Sequence, residues 1–277
     1  MGTLLGAAEI REIAARIGVH PTKKLGQNFV VDANTCRRIV KIADVRGDDV
    51  ALEIGPGLGS LTLALLEIAA SVVAVEIDNR LADELPNTVF SHGFESSRLH
   101  VKNEDALATK TLPLVPTVLV ANLPYNISVP VLLHFLEKFP TIRSGVVMVQ
   151  SEVADRLVAT PGSKNYGSPS VKATWWADLV GAGSVGRQVF WPIPNVDSSL
   201  VRFTRHSAAG DESERRLTFQ VIDAAFAHRR KMLRGALSQL FNGGAEQAIL
   251  QAGIDPTARG ETLLLRDFMA IANTLAS

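Results

Sequence analysis

The sequence predicts an α/β fold: a mostly parallel sheet with helices on both faces, followed by a small all-helical region. Three observations carry this. Between residues 50 and 149, short apolar runs alternate with segments of helical periodicity, as in a parallel sheet with crossover helices. A glycine-rich turn ends the first run and a polar motif ends the fourth, where such sheets bind ligands beyond the carboxyl ends of their strands. From about Glu212 onward the apolar spacing is helical throughout.

Taken in order, Glu9, Arg11, Glu12 and Arg16 among apolar neighbours describe an amphipathic helix. A signal peptide would instead lead with its positive charge. A polar stretch over 21–28 and a helix over 33–42 precede the first strand, 50–54. Further strands are predicted at 72–77, 99–101, 118–121 and 145–149, with helices at 61–68, 80–85 and 129–139. Residues 161–169 form a breaker-rich loop, then come 180–189, a proline-rich stretch over 190–195 and a strand-like 199–204. Gly243-Gly244 and Asp255-Pro256 punctuate the helical end. The predicted organisation is one domain over 1–207 and a helical one over 208–277.

With 277 residues, 47% of them hydrophobic, the chain can bury a full core. No run reaches the roughly 18 apolar residues of a membrane span. Cys36 is the only cysteine, which excludes an internal disulfide and any multi-cysteine zinc site and fits a reducing, cytoplasmic setting. Asn126-Ile127-Ser128 matches a glycosylation acceptor by chance in that setting. The histidines show no metal-ligand spacing, and no metal is assigned. Net charge is zero, yet acidic residues dominate the middle stretch while Arg202, Arg205, Arg215, Arg216, Arg229, Arg230, Lys231 and Arg234 dominate the later one.

Glu53-Ile54-Gly55-Pro56-Gly57-Leu58-Gly59-Ser60 places three glycines between a strand and a helix, where a bare backbone can pass close to a ligand. It is not the dinucleotide fingerprint, whose third glycine would fall at Ser60. Its spacing matches the acidic-x-Gly-x-Gly-x-Gly loop of S-adenosylmethionine-dependent methyltransferases. Glu76 ends the second strand, about 20 residues past the first glycine, where a carboxylate can accept from both ribose hydroxyls. An exposed carboxylate or a helix N-terminal charge is the alternative, and Asp78 fits it better than Glu76 does. Asp105, after the third strand, can accept from an adenine amine; Glu104 beside it is equally acidic.

Asn122-Leu123-Pro124-Tyr125 brings together an amide, a backbone carbonyl and an aromatic ring at the end of a buried strand. Pro124 donates to no ladder and pushes Leu123 out of the helical region, which bares the Leu123 carbonyl. Alone, the tetrapeptide is equally compatible with a turn in which Asn122 bonds its own backbone. Opposite a cofactor loop, it reads as a clamp for the exocyclic amine of a base.

These motifs, in this order, resemble the KsgA/RsmA-type ribosomal RNA adenine dimethyltransferases over nearly the whole chain. The match includes Lys24-Leu25-Gly26-Gln27-Asn28-Phe29-Val30-Val31-Asp32, which resembles the family's cofactor-closing amino-terminal motif. Phe190-Trp191-Pro192-Ile193-Pro194-Asn195-Val196-Asp197-Ser198 resembles its late phenylalanine-and-proline motif, and residues 225–234 its basic helix. Val30, Asn195 and Glu104 depart from the usual leucine, lysine and glycine.

The resemblance implies a class I, Rossmann-like methyltransferase fold with a seven-stranded sheet and a small all-α carboxyl-terminal domain. It implies a S-adenosylmethionine site formed by Asn28, Val30, Gly55, Gly57, Glu76, Ile77, Asp105, Ala106 and Asn122. It further implies that Asn122 and Leu123 hold the amine hydrogens, that Pro124 leaves the carbonyl free, and that Tyr125 and Phe190 bracket the target base. A stacked base is worth roughly 1–3 kcal/mol, which offsets part of its unstacking. For Phe190, an aromatic among prolines is more often core than a base platform. Arg229, Arg230, Lys231 and Arg234, on one or two faces of a predicted helix, would bind RNA phosphate. The implied activity is dimethylation of two adjacent adenines in the 3′-terminal hairpin of 16S rRNA, on immature small subunits, by a cytoplasmic monomer.

Three other readings stay open. They are a resistance-type methyltransferase of large-subunit RNA, a nicotinamide-dependent oxidoreductase, and a non-catalytic ribosome-assembly factor.

Overall fold

The computed structural model describes residues 2–21, 28–228 and 230–275. Lys24 to Gln27 of the amino-terminal motif and Arg229 of the basic run lie outside the described residues.

Helix α1 (Ala7–Arg16) buries Ile10, Ile13 and Ala14 along one face, with Glu9 in its first turn and Arg16 in its last, the arrangement a helix dipole favours. A two-residue strand, β1 (Phe29–Val30), leads to α2 (Ala33–Ile42). Asp32 caps α2 by accepting from the Thr35 N–H at 2.7 Å.

The main sheet then begins. Its first strands are β2 (Val50–Ile54), β3 (Ser71–Glu76) and β4 (Leu99–Asn103), with α3 (Ser60–Leu66) and α4 (Asn79–Ser91) between them. Next come β5 (Val118–Asn122), α5 (Ser128–Lys138), β6 (Ser144–Gln150), α6 (Ser151–Leu157) and α7 (Ser168–Ala173). The strands close with β7 (Ala177–Val185), β8 (Phe190–Trp191) and β9 (Ser198–Arg205).

Seven strands run in the order β4-β3-β2-β5-β6-β9-β7, and β1 pairs separately with β8. Strands β2 to β6 are parallel to their neighbours, and β9 is antiparallel to β6. The near-continuous apolar character of β2, β3, β5 and β6 is what a sheet covered on both faces requires. From β2 the chain steps outward to β3 and β4, then returns to the other side of β2 as β5. That reversal is a topological switch point, and it sets the glycine turn after β2 beside the Asn122 motif after β5.

Helix α4 is longer than the expected 80–85: it continues through Pro86 to Ser91. Leu85, Thr88 and Val89 are all buried, so packing on both sides of Pro86 outweighs the lost backbone bond.

The chain divides into two compact units, Met1–Ala154 with Val180–Arg205, and Asp155–Leu179 with His206–Ser277. The expected boundary at 207/208 therefore misassigns residues 155–179, which belong with the helices. The reason is aromatic: Trp175 and Trp176 meet the edge of Phe219 at 5.9 and 5.6 Å, and Tyr166 meets Phe226 at 6.1 Å. Helices α8 (Glu212–Ala227), α9 (Leu233–Ala236), α10 (Ala245–Gln251) and α11 (Leu265–Asn273) supply the rest of that core through Val221, Leu233, Ile249 and Phe268.

Candidate active site

The glycine turn is built by backbone geometry that other residues resist. Gly55, Gly57 and Gly59 have φ of 69°, 59° and 101°. A Cβ on Gly57 would lie 2.8 Å from the Phe29 ring, so its missing side chain also lets β1 close against the turn. Gly55 N–H reaches across to the Val75 carbonyl at 2.9 Å, which ties the turn to β3.

At the end of β3, Glu76 accepts from the Gly57 N–H at 3.2 Å and the Asp78 N–H at 3.0 Å, one bond to each carboxylate oxygen. Burial raises its pKa against these bonds, which pull the other way. Glu53 is more deeply buried, and loss of water drives its pKa up to about 8. The Thr62 hydroxyl donates to Glu53 at 2.6 Å and opposes that rise, while the nearby Glu76 charge adds to it. Ile77, next in sequence, is 58% exposed and presents an apolar face.

After β4 the two neighbouring acids separate by partner. Glu104 is paired with Lys102 at 3.0 Å, which lowers its pKa. Asp105 is exposed and accepts from the Leu107 N–H at 2.9 Å through Oδ1. Sequence left the two equivalent; the ion pair distinguishes them.

Gly55, Gly57 and the acids Glu53, Glu76, Glu104 and Asp105 line one cleft of about 920 Å³ including its open mouth. Asn28, Val30, Gly55, Gly57, Glu76, Ile77, Asp105, Ala106 and Asn122, the residues proposed from sequence for a cofactor, all lie on its wall. Its acidic lining residues are Glu53, Glu76, Glu104 and Asp105, of which Glu53 keeps its proton at neutral pH, and no lysine, arginine or histidine is among the described residues that line it. Such a wall suits a cationic ligand and repels a diphosphate. Phe29, Ile127 and Glu53 line it too, without having been assigned there from sequence. Phe29 lies within the amino-terminal motif, between Asn28 and Val30, and Ile127 two residues past Tyr125, which is the sequence signal they carry.

Asn122 ends β5 with its side chain already committed. Nδ2 donates to the Asn28 carbonyl at 3.0 Å, which leaves Oδ1 as the acceptor. Leu123 N–H is taken by the Met148 carbonyl at 3.0 Å, and no described residue donates to the Leu123 carbonyl. Pro124 lines the cleft, and its carbonyl accepts from Ile127 N–H at 3.2 Å to form the turn. Leu123 and Tyr125 stand beside the cleft rather than in its wall.

Phe190 and the basic run differ in setting from what their sequence suggests. Phe190 is 2% exposed, in register with Val30 of β1, and part of the core. Of the basic run, Arg234 alone among the described residues lies on a helix. Helix α8 stops at Ala227, and Arg230 and Lys231 lie in the exposed connection before α9. The break is enforced at its far end, where Leu233 is buried with its N–H on the Ala258 carbonyl at 2.8 Å and Arg234 N–H bonds the Pro256 carbonyl at 3.1 Å. Arg234 lies on α9, exposed, 3.8 Å from Glu246.

Comparison with known proteins places this geometry in context. Residues 20–277 match the family model described as ribosomal RNA adenine dimethylase. The chain is 58% identical over 273 residues to a ribosomal RNA small subunit methyltransferase A from Leifsonia xyli subsp. xyli, covering 97% of this chain and 98% of that one. A protein of the same name from Streptomyces griseus subsp. griseus is 58% identical over 274 residues, covering 97% and 94%. Among solved structures, a dimethyladenosine transferase from Plasmodium falciparum superposes with a TM-score of 0.75 at 24% identity, covering 88% of this chain and 95% of that one. The 23S rRNA methyltransferase ErmE does so with 0.65 at 25% identity, covering 90% and 100%. The first of these likenesses speaks to the fold alone.

Proposed function

The chain belongs to the ribosomal RNA adenine dimethylase family, and from that premise we propose that it dimethylates the N6 amines of two adjacent adenines in the 3′-terminal hairpin of 16S rRNA, using S-adenosylmethionine. The substrate is the immature small subunit, and the enzyme acts as a cytoplasmic monomer. The observation that carries the chemistry is an acidic cleft whose wall includes Asn122 with its Oδ1 left to accept.

The residues present fit that cofactor. Glu76 retains lone pairs for ribose hydroxyls, Ile77 offers an apolar face and Asp105 an acceptor for adenine, and the four carboxylic acids favour a cation. When bound, S-adenosylmethionine supplies a methyl group on a positively charged sulfur. Asn122 Oδ1 and the Leu123 carbonyl hold the two amine hydrogens of the adenine. They draw its nitrogen toward tetrahedral geometry and free its lone pair from the ring. Methyl transfer from the bound cofactor would join that nitrogen to the methyl as its bond to sulfur is released, and Asn122 Oδ1, the Leu123 carbonyl or water would take the displaced amine proton. Proximity and orientation supply most of the acceleration, so no dedicated base is needed.

Tyr125 stacks on the base in this reading. Arg230, Lys231 and Arg234, with Arg229 outside the described residues, bind phosphate of structured RNA read by shape. The small-subunit relatives at 58% identity favour that substrate over the large-subunit RNA named for ErmE at 25%. Incubation with immature small subunits and labelled cofactor tests the proposal. Dimethyladenosine is expected in the digested RNA, and its absence overturns the reading.

A further inference from the structure

The hydroxyl of Ser60 has no part in the chemistry described so far. It opens α3, is buried, and does not cap its own helix; instead Oγ donates to the Val30 carbonyl at 2.6 Å. Val30 belongs to segment 28–31, which contributes Asn28, Phe29 and Val30 to the cleft wall. Two residues before the bond to Ser60, the Asn28 carbonyl takes Nδ2 of Asn122 at 3.0 Å. On the other side, Val31 N–H bonds the Val189 carbonyl at 2.8 Å and Asp32 caps α2.

A primary amide presents oxygen on one side and hydrogens on the other in nearly the same shape. Rotation by half a turn would aim N–H groups at the hydrogens of an incoming amine. The partner of Nδ2 decides between the two, and that partner is a backbone carbonyl whose position depends on where segment 28–31 is fastened.

We propose that Ser60 is a positioning residue for methyl transfer: by fastening segment 28–31 to the glycine turn, its hydroxyl sets the orientation of Asn122 Oδ1. The inference rests on Asn122 being an acceptor for the target amine. It makes cofactor-cleft closure and amine geometry one mechanical unit, joined through the pair of carbonyls Asn28 and Val30. Ser60 also lines the cleft, so the rival role is a direct cofactor contact.

The test compares Ser60→Ala and Ser60→Thr with the wild-type full chain, on immature small subunits at saturating S-adenosylmethionine. Single-turnover transfer is expected to fall by about tenfold or more in Ser60→Ala, since misplacement of about 1 Å can cost as much as 10²-fold. Ser60→Thr, which keeps the hydroxyl, should recover most of the rate. In parallel, the Asn122 side-chain amide resonance of the cofactor-free protein, assigned by its loss in Asn122→Asp, should move in Ser60→Ala and hold in Ser60→Thr. A raised KM for the cofactor with an unchanged saturated rate would overturn the proposal, as would an amide resonance that does not move. If the wild type transfers no methyl to small subunits, the functional reading fails, yet the amide resonance still decides the role of Ser60.

Discussion

The phenol oxygen of Tyr125 lies 2.9 Å from the hydroxyl of Ser198, a buried residue that opens β9 and pairs in register with Gln150 of β6. Burial raises the Tyr125 pKa, so the phenol stays neutral at working pH. The bond fixes the long axis of the ring that the proposed mechanism stacks on adenine. Ser198→Ala is expected to lower kcat on small subunits several-fold, and Tyr125→Phe by a similar factor, since a neutral bond is worth about 1 kcal/mol. The double variant should lose no more than either alone. Additive losses in that cycle would show that the two hydroxyls act separately.

Gly57→Ala combines two costs. Its φ of 59° is a left-handed conformation worth roughly 1–2 kcal/mol against a non-glycine residue, and the new methyl meets the Phe29 ring. Thermal melting should drop by several degrees, and calorimetry should show weaker S-adenosylmethionine binding because Phe29 must leave the wall. Gly244→Ala, at a negative φ in the helical unit, serves as the control and should bind cofactor normally.

Much of this site was legible from sequence because its parts sit at element boundaries, where chemistry and chain geometry coincide. Glycines at positive φ, an acid closing a strand and a proline after an amide all announce themselves locally. What stayed hidden depends on which partner each side chain takes. Glu104 and Asp105 look alike until Lys102, two residues before Glu104, pairs with it. Phe190 reads as a base platform until β1 pairs with β8 and buries it. Trp175 and Trp176 follow the sheet region in sequence yet pack on Phe219 of the helical unit. The basic run keeps a helical spacing that the buried Leu233 and its bond to Ala258 override.

That same ion pair separates the two acids functionally. Asp105→Ala should raise the dissociation constant for S-adenosylmethionine about tenfold, because a charge-assisted hydrogen bond contributes roughly 1.5–3 kcal/mol. Glu104→Gln should change it less than threefold, since its carboxylate is engaged by Lys102. Isothermal calorimetry on both variants decides, and equal losses would mean that Glu104 meets the adenine.

Arg230 and Lys231 are exposed and lie in a connection rather than on a helix face. If they meet RNA phosphate, the Arg230→Ala, Lys231→Ala double variant should weaken small-subunit binding and reduce the slope of log K against log salt by about 1 to 2. Filter binding across a salt series measures this. An unchanged slope would move the phosphate contacts elsewhere, while cofactor affinity should be the same in either case.

The cleft also predicts a distinctive pH dependence. Glu53 holds its proton to about pH 8 in the folded protein, against an ordinary value of 4.5. Between those values the native state binds more protons than the unfolded chain, so this group makes stability fall as pH rises through the window. The raised pKa of Glu76 has the same sign. Glu53→Gln keeps an acceptor for Thr62 without the ionisation, so its melting temperature should exceed that of the wild type at pH 9 and converge with it near pH 5. A cation entering the cleft stabilises the ionised acids, so S-adenosylmethionine binding at pH 7 should release protons, and S-adenosylhomocysteine, lacking the sulfonium charge, should release fewer. Calorimetry in buffers of different ionisation enthalpy counts those protons. Equal release by the two ligands would mean that the acidic wall does not sense the sulfonium.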